Sequence, residues 1–250
     1  MMLLVDIGNT RVKWAACSQE ALEPQQAAGY AHWTVDDWQR NLFGSRRFER
    51  VVAASVAGEP STRHLMEAAR RSGAGDVQFV ESTAVAGGVR NAYPDPRLLG
   101  VDRWVAVIGA YHLCGGACCI VDVGTAATVD AVDAGGQHLG GYIVPGPHMM
   151  VRSLHTGTRQ LASHTAASGV HAGALLADNT REAIERGCRV ALAALADRAH
   201  ADLARVTGTA PTLVLTGGAA AEIQPWILAP VRPVPDLVLH GLARLARPGS

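Results

Sequence analysis

Two stretches of this chain follow one plan. MLLVDIGNTRVKWA stands near the start and CCIVDVGTAATVDAV in the middle. Each is an apolar run ending in Asp-x-Gly, then a short polar turn, then a second apolar run. That pattern reads as a buried strand entering a tight hairpin. Asp6 and Asp122 therefore fall at equivalent strand ends. A carboxylate at a strand end can hold a hydrated cation beside a polyphosphate. Glycine lets the backbone approach a phosphate closely. Asn9, Thr10 and Thr125 offer donors to its oxygens, and Lys13 adds a positive charge. One such turn is also what any hairpin uses. Two copies, with Thr216-Gly217-Gly218 after a late strand, argue for two related α/β halves facing each other across a cleft.

The rest of the pattern alternates strands and helices, as an α/β protein does. Strands are expected at Met2–Val5, Arg11–Cys17, Tyr30–Trp33, Arg50–Ser55 and Val77–Val80. A short helix follows Thr34, a candidate N-cap. Helices are expected at Ser61–Arg71 and Leu98–Leu113, with a Gly- and Pro-rich loop over Gly87–Pro96. The second half gives strands at Ala117–Val121, Thr128–Val132, Leu139–Val144 and Thr212–Leu215. Its helices fall at His148 to about Thr158, Thr180–Arg198, Ala219–Trp226 and Leu237–Leu245. No low-complexity linker separates the halves, and a boundary near residues 112–117 gives domains 1–115 and 116–250.

Composition removes several classes. With 22 Lys+Arg against 22 Asp+Glu, the chain lacks the basic footprint of a nucleic-acid surface. No apolar run approaches the roughly 20 residues of a membrane span, and Asp6 interrupts the opening apolar run. A cytoplasmic protein is expected. Five cysteines, an odd number, argue against a disulfide framework. Cys114, Cys118 and Cys119 lack paired metal-ligand spacing and read as small residues entering a buried strand. His148, His155, His164 and His171 show no zinc-enzyme pattern and read as surface or cap residues. The chain has neither a Walker loop nor a dinucleotide-binding glycine fingerprint.

The two turns and the late glycine pair resemble the actin, sugar-kinase and heat-shock-protein-70 ATPase superfamily. Further stretches narrow this: DIGNTRVKWA, then GVDRW (Gly100–Trp104), DVGTAATVDAV (Asp122–Val132) and GGYIVPG (Gly140–Gly146). NTREAIERG (Asn179–Gly187), LTGGAA (Leu215–Ala220) and PDLVLHGLA (Pro235–Ala243) follow. Together, and in this order, they resemble type III pantothenate kinase, the Bvg accessory factor family, from Leu3 to about Ala243. The resemblance implies two ribonuclease H-like (actin-like) halves, each a mixed sheet flanked by helices, with the nucleotide cleft between them. It implies phosphorylation of pantothenate by ATP to 4′-phosphopantothenate, the first step of coenzyme A biosynthesis. It further implies a homodimer with sites shared across the interface, Mg²⁺, and a monovalent cation, K⁺ or NH₄⁺.

Residue by residue, the resemblance makes Asp102 the general base. In the sequence alone, Asp102-Arg103 is equally a helix-end ion pair. Arg103 is a planar cation apt for the pantothenate carboxylate, or for orienting Asp102. Gly100 and Val101 present backbone to the substrate. Tyr93 lines the pantothenate pocket or anchors its own loop. Asp6, Ile7, Gly8, Asn9, Thr10, Arg11, Val12 and Lys13 form the first phosphate turn, with Asp6 on Mg²⁺ and Thr125 on ATP phosphate. Asp122 takes the monovalent cation by resemblance, and a second magnesium by sequence alone. Gly217 and Gly218 pass close to adenosine. Ala219 stands where the family commonly has Asp, so no polar contact carries over there. Thr180 reaches the partner subunit's pantothenate pocket, or simply occupies a first helical turn after an Asn179/Glu182 cap. The rival readings are a kinase for a small sugar or acetate, an exopolyphosphatase-like hydrolase, and a regulatory protein without catalysis.

Overall fold

The first hairpin forms as the apolar pattern dictates. β1 (Met2–Ile7) and β2 (Arg11–Ser18) run antiparallel, with Asp6 opposite Lys13 and Ile7 opposite Val12. In the computed structural model, which describes residues 1–18, 21–157 and 176–247, short strands β3 (Ala21–Leu22) and β4 (Gln26–Gly29) both pair with β2. Helix α1 (Val35–Trp38) is capped as expected by Thr34, whose hydroxyl and N–H exchange bonds with Asp37. β5 (Arg50–Ser55), α2 (Glu59–Arg71) and β6 (Asp76–Phe79) follow, then a two-rung hairpin, β7 (Val85–Ala86) and β8 (Val89–Arg90), and α3 (Val101–Cys114). The sheet order is β3-β2-β1-β5-β6, with β5 parallel to both β1 and β6.

The second hairpin repeats this plan. β9 (Cys118–Val123) and β10 (Ala126–Val132) are antiparallel, and β11 (His138–Pro145) adds an outer strand. After α4 (Pro147–Gly157) and the long α5 (Thr180–Thr207) comes β12 (Thr212–Thr216). It lies parallel to β9 and to β13 (Val231–Pro233). Between them stand α6 (Ala220–Ile223) and a 3₁₀ turn, Gln224–Trp226. α7 (Leu237–Leu245) ends the chain's regular structure. Each sheet is thus an antiparallel hairpin whose first strand has two parallel neighbours beyond it. Both carry helices, so the expected mixed α/β class is found.

The chain divides into two compact units. The first comprises Met1–Gly115, Ala134–Gly140 and Asp236–Ser250, the second Gly116–Asp133 and Gly141–Pro235. Strand alternation sorts each hairpin. In the first unit Leu3, Val5 and Ile7 join Trp14, Val51, Ala53 and the α2 residues Leu65, Ala68 and Ala69 in one core. In the second, Cys119, Val121 and Val123 pack with Leu192, Ala196, Ala199 and Leu203 of α5. Those α5 positions recur at three- and four-residue spacing, one stripe of a helix. Asp6 and Asp122 both fall on the opposite strand face from these clusters. Burial pushes the Cys119 thiol up to about 12, and the nearby Asp130 carboxylate adds to this.

Several expectations need correcting. Tyr30–Trp33 is not a strand: β4 ends at Gly29, and a Trp33 N–H to Tyr30 carbonyl bond of 2.9 Å closes a turn. The aromatic rings pack on one another, Trp33 against both Trp14 and Trp38, instead of lining a sheet face. α2 starts at Glu59, two residues early, because Pro60 is accommodated in its first turn. α3 starts at Val101, because Pro96–Leu98 forms a separate 3₁₀ turn capped by Asp95. α5 runs on to Thr207, where Gly208 ends it in a left-handed cap. His164, His171 and the helix end at Thr158 lie outside the described residues. Among the described residues no helix is long and apolar enough to cross a membrane.

α3 and α7 cross through glycines. A Cβ on Gly109 would lie 2.7 Å from the Leu237 carbonyl oxygen, and one on Gly241 would overlap the Val105 carbonyl. Ala would otherwise favour either helix by about 1 kcal/mol, so the close approach accounts for glycine at both places. Gly241→Ala should therefore destabilise the protein by about 2 kcal/mol. Thermal unfolding checks this, and an unchanged or raised melting temperature would refute the crossing.

Candidate active site

The first turn is built from backbone. Asp6 is 7% exposed at the end of β1, with Lys13 directly across on the same face. Ile7 and Val12 are fully buried, so they offer main chain only. The Gly8 N–H donates to the Arg11 carbonyl at 3.0 Å, closing the turn, and Asn9, Thr10 and Arg11 are exposed at its tip. The Tyr30 hydroxyl donates to the Gly8 carbonyl at 2.6 Å.

A second group in the same unit surrounds the start of α3. Gly100 is the N-cap, and Val101, Asp102 and Arg103 form the first turn. An Asp102 carboxylate oxygen accepts the Arg103 backbone N–H at 2.8 Å and lies 2.8 Å from where a Cβ on Gly100 would stand. Negative charge at this helix end is favourable. The Arg103 side chain is 6% exposed and donates to the Tyr93 hydroxyl at 3.2 Å. Tyr93 itself stacks on His138, centroids 6.4 Å apart and planes at 11°. The Tyr93 N–H donates to the Asn91 side chain, and the Ala92 N–H donates to His138 Nδ1 at 3.4 Å. Arg103, Tyr93 and His138 therefore form three contacting layers. His138 is 1% exposed, and no motif in the sequence points to it. Nothing in a lone His before Leu-Gly-Gly marks it.

In the second unit Asp122 is the last residue but one of β9, paired in register with Thr128 and Thr216. Gly217 has φ +99°, and a Cβ there would collide with the Val123 backbone and stand 2.5 Å from the Asp122 carboxylate. The Ala219 N–H donates to the Val123 carbonyl at 2.9 Å, so the Gly217-Gly218 turn lies across the end of β9. Ala219 is the N-cap of α6 and makes no side-chain cap bond. Thr125 is exposed in the hairpin turn, and its carbonyl accepts the Gly146 N–H at 2.9 Å. A Cβ on Gly146 would overlap the Gly124 carbonyl, so this glycine shapes the second turn. It is the last residue of the GGYIVPG stretch. Thr180 is the first residue of α5, after Asn179, whose side chain caps the Glu182 N–H at 3.0 Å. In the same turn Glu182 pairs with Arg186, and Arg186 lies 5.8 Å over the Trp226 ring.

Residues 2–202 match the family model for type III pantothenate kinase. The chain belongs to the type III pantothenate kinase family. It is 40% identical over 247 residues to a type III pantothenate kinase of Azoarcus sp. (strain BH72), covering 98% of this chain and 90% of that one. It is 38% identical over 254 residues to that of Chromobacterium violaceum, covering 98% and 99%. Among solved structures it is similar to component A of the (R)-2-hydroxyglutaryl-CoA dehydratase of Acidaminococcus fermentans. There the TM-score is 0.55 at 14% identity, over 98% of this chain and 95% of the other. It is also similar to a ROK family glucokinase of Streptomyces griseus, solved with glucose and AMPPNP. That match has a TM-score of 0.53 at 15% identity, over 99% of both chains. The fold is that of the actin-like and sugar-kinase ATPases.

Proposed function

We propose that this protein transfers the γ-phosphoryl group of ATP to the hydroxyl of pantothenate, giving 4′-phosphopantothenate at the entry to coenzyme A biosynthesis. The observation that carries this is a family match spanning nearly the whole chain, with the GVDRW turn intact at the head of α3. Phosphoryl transfer passes through a loose transition state, so positioning and charge matter most. Asp102 accepts the hydroxyl proton and aims the oxygen in line. Arg103, held by Tyr93, pairs with the pantothenate carboxylate, while Gly100, Val101 and Tyr93 shape the pocket. In the first unit Asp6 through Lys13 receive ATP phosphates. In the second, Thr125 hydrogen-bonds phosphate, and Gly217 and Gly218 lie along adenosine.

Asp6 is a buried carboxylate, an oxygen donor that suits Mg²⁺, an ion that keeps most of its waters beside phosphates, while Lys13 across from it offers its charge to the phosphates themselves. The Asp122 carboxylate and the Val123 carbonyl both face the Gly217 position, oxygen donors of the kind that suit a monovalent cation, K⁺ or NH₄⁺. When bound, these ions supply positive charge against the phosphates. Replacing K⁺ with Na⁺ should lower the rate several-fold while ATP binding persists. An equal rate in Na⁺ would remove the monovalent site.

The active form is a homodimer in which Thr180 completes the partner's site. Support comes from the outer strand β11, where Tyr142 and Ile143 are 53% and 62% exposed, and from exposed Met149 and Leu154 of α4. An uncovered apolar edge strand of this kind invites a partner. Balanced charge supports a role without nucleic acid, and use of ATP supports a cytoplasmic location. Co-expressing Asp102→Asn and Thr180→Val chains tests the shared site. Each variant alone should be nearly inactive. The mixture should regain about a quarter of wild-type activity, because half of the dimers are mixed and each carries one intact site. No recovery would place Thr180 in its own subunit's site or in none. Turnover with pantothenate, set against glucose, acetate and water, tests the acceptor.

A further inference from the structure

We propose that Tyr30 is a positioning residue for the first phosphate turn. Its hydroxyl donates to the Gly8 carbonyl at 2.6 Å. The peptide unit joining Gly8 to Asn9 is planar and trans, so its C=O and N–H point in opposite directions. Pinning the Gly8 carbonyl on one side therefore aims the Asn9 N–H to the other. It also keeps a carbonyl oxygen from rotating toward an anion. Successive N–H groups turned the same way make an anion-binding concavity, and one reversed peptide spoils it.

The hydroxyl is held in place before any ligand arrives. β4 pairs with β2 so that Gly29 sits opposite Arg11, which brings Tyr30 alongside the turn. The Tyr30 ring packs edge-on against Trp38 at 5.4 Å. Trp38 is fully buried and packs on Trp33, which packs on Trp14 of β2. This aromatic run explains why Tyr30–Trp33 leaves the sheet: its rings support a turn rather than extend a strand. Deleting the hydroxyl alone leaves that packing intact.

The inference rests on reading Asp6–Lys13 as the phosphate turn. The test measures binding of ATP, ADP and adenosine to wild-type protein, Tyr30→Phe, Lys13→Met and Trp33→Phe. Tyr30→Phe should weaken ATP and ADP about five- to tenfold, the value of one hydrogen bond, and leave adenosine and the KM for pantothenate unchanged. Trp33→Phe should lower the melting temperature without changing the ATP-to-adenosine ratio, which separates loose packing from lost aim. If Tyr30→Phe weakens all three ligands equally, Tyr30 is merely structural. If Lys13→Met weakens ATP and Tyr30→Phe does not, the phosphate turn stands and the positioning role falls. If neither does, both fall.

Discussion

Asp102→Asn is expected to lower kcat by roughly 10²- to 10⁴-fold, the range of a lost general base, with little change in stability. Asn has nearly the same shape. Its side-chain oxygen can still accept the Arg103 N–H that Asp102 takes at 2.8 Å, so the first turn of α3 keeps its bond. What goes is the negative charge that, in the proposed mechanism, receives the hydroxyl proton. The KM for both substrates should move far less than kcat, because the phosphate turn and the Arg103–Tyr93 pair are untouched. A non-catalytic regulator would instead keep its effect in the variant. Steady-state kinetics with a melting curve separates these outcomes.

Gly217→Ala is expected to cost about 3 kcal/mol of stability, combining backbone strain with overpacking, and to abolish ATP turnover. The residue has φ +99°, a region L-residues rarely enter. Its Cβ would meet the Asp122 carboxylate and the strand backbone at Val123, and that backbone cannot yield without moving β9. Gly208 is the control. It also has positive φ, at +69°, but a Cβ there meets nothing within 4 Å. Gly208→Ala should cost only the conformational part, about 1 kcal/mol, and leave activity intact. Equal losses at the two positions, read by urea unfolding, would remove the steric argument at Gly217.

The hairpins were legible because burial and turn chemistry agree there. Leu3 to Val5 and Ile120 to Val121 are continuous apolar runs closed by Asp-x-Gly, and both folded with the same neighbours. The Thr34 cap was legible for the same local reason. The aromatic turn at Tyr30–Trp33 was not, because Tyr and Trp favour strands as readily as ring clusters. The cluster depends on Trp14 and Trp38 from other segments. β13 is three residues ending in a proline, so it exists only through its pairing with β12. The site divided along the same line. Asp6, Asp102, Asp122 and the glycine pair announce themselves by motif. Tyr30 and His138 carry no such signal, because the Gly8 carbonyl and the Tyr93 ring that they contact lie 22 and 45 residues away in the chain.

The identity of the acceptor decides between the kinase and its rivals. The most direct measurement incubates the purified protein with ATP, Mg²⁺, K⁺ and pantothenate, and quantifies ADP and phosphopantothenate together, with a parallel run lacking pantothenate. The expected result is equal amounts of both products and no ADP without the acceptor. ADP formed at the same rate in the absence of pantothenate would contradict pantothenate as the acceptor, leaving the fold with a different one.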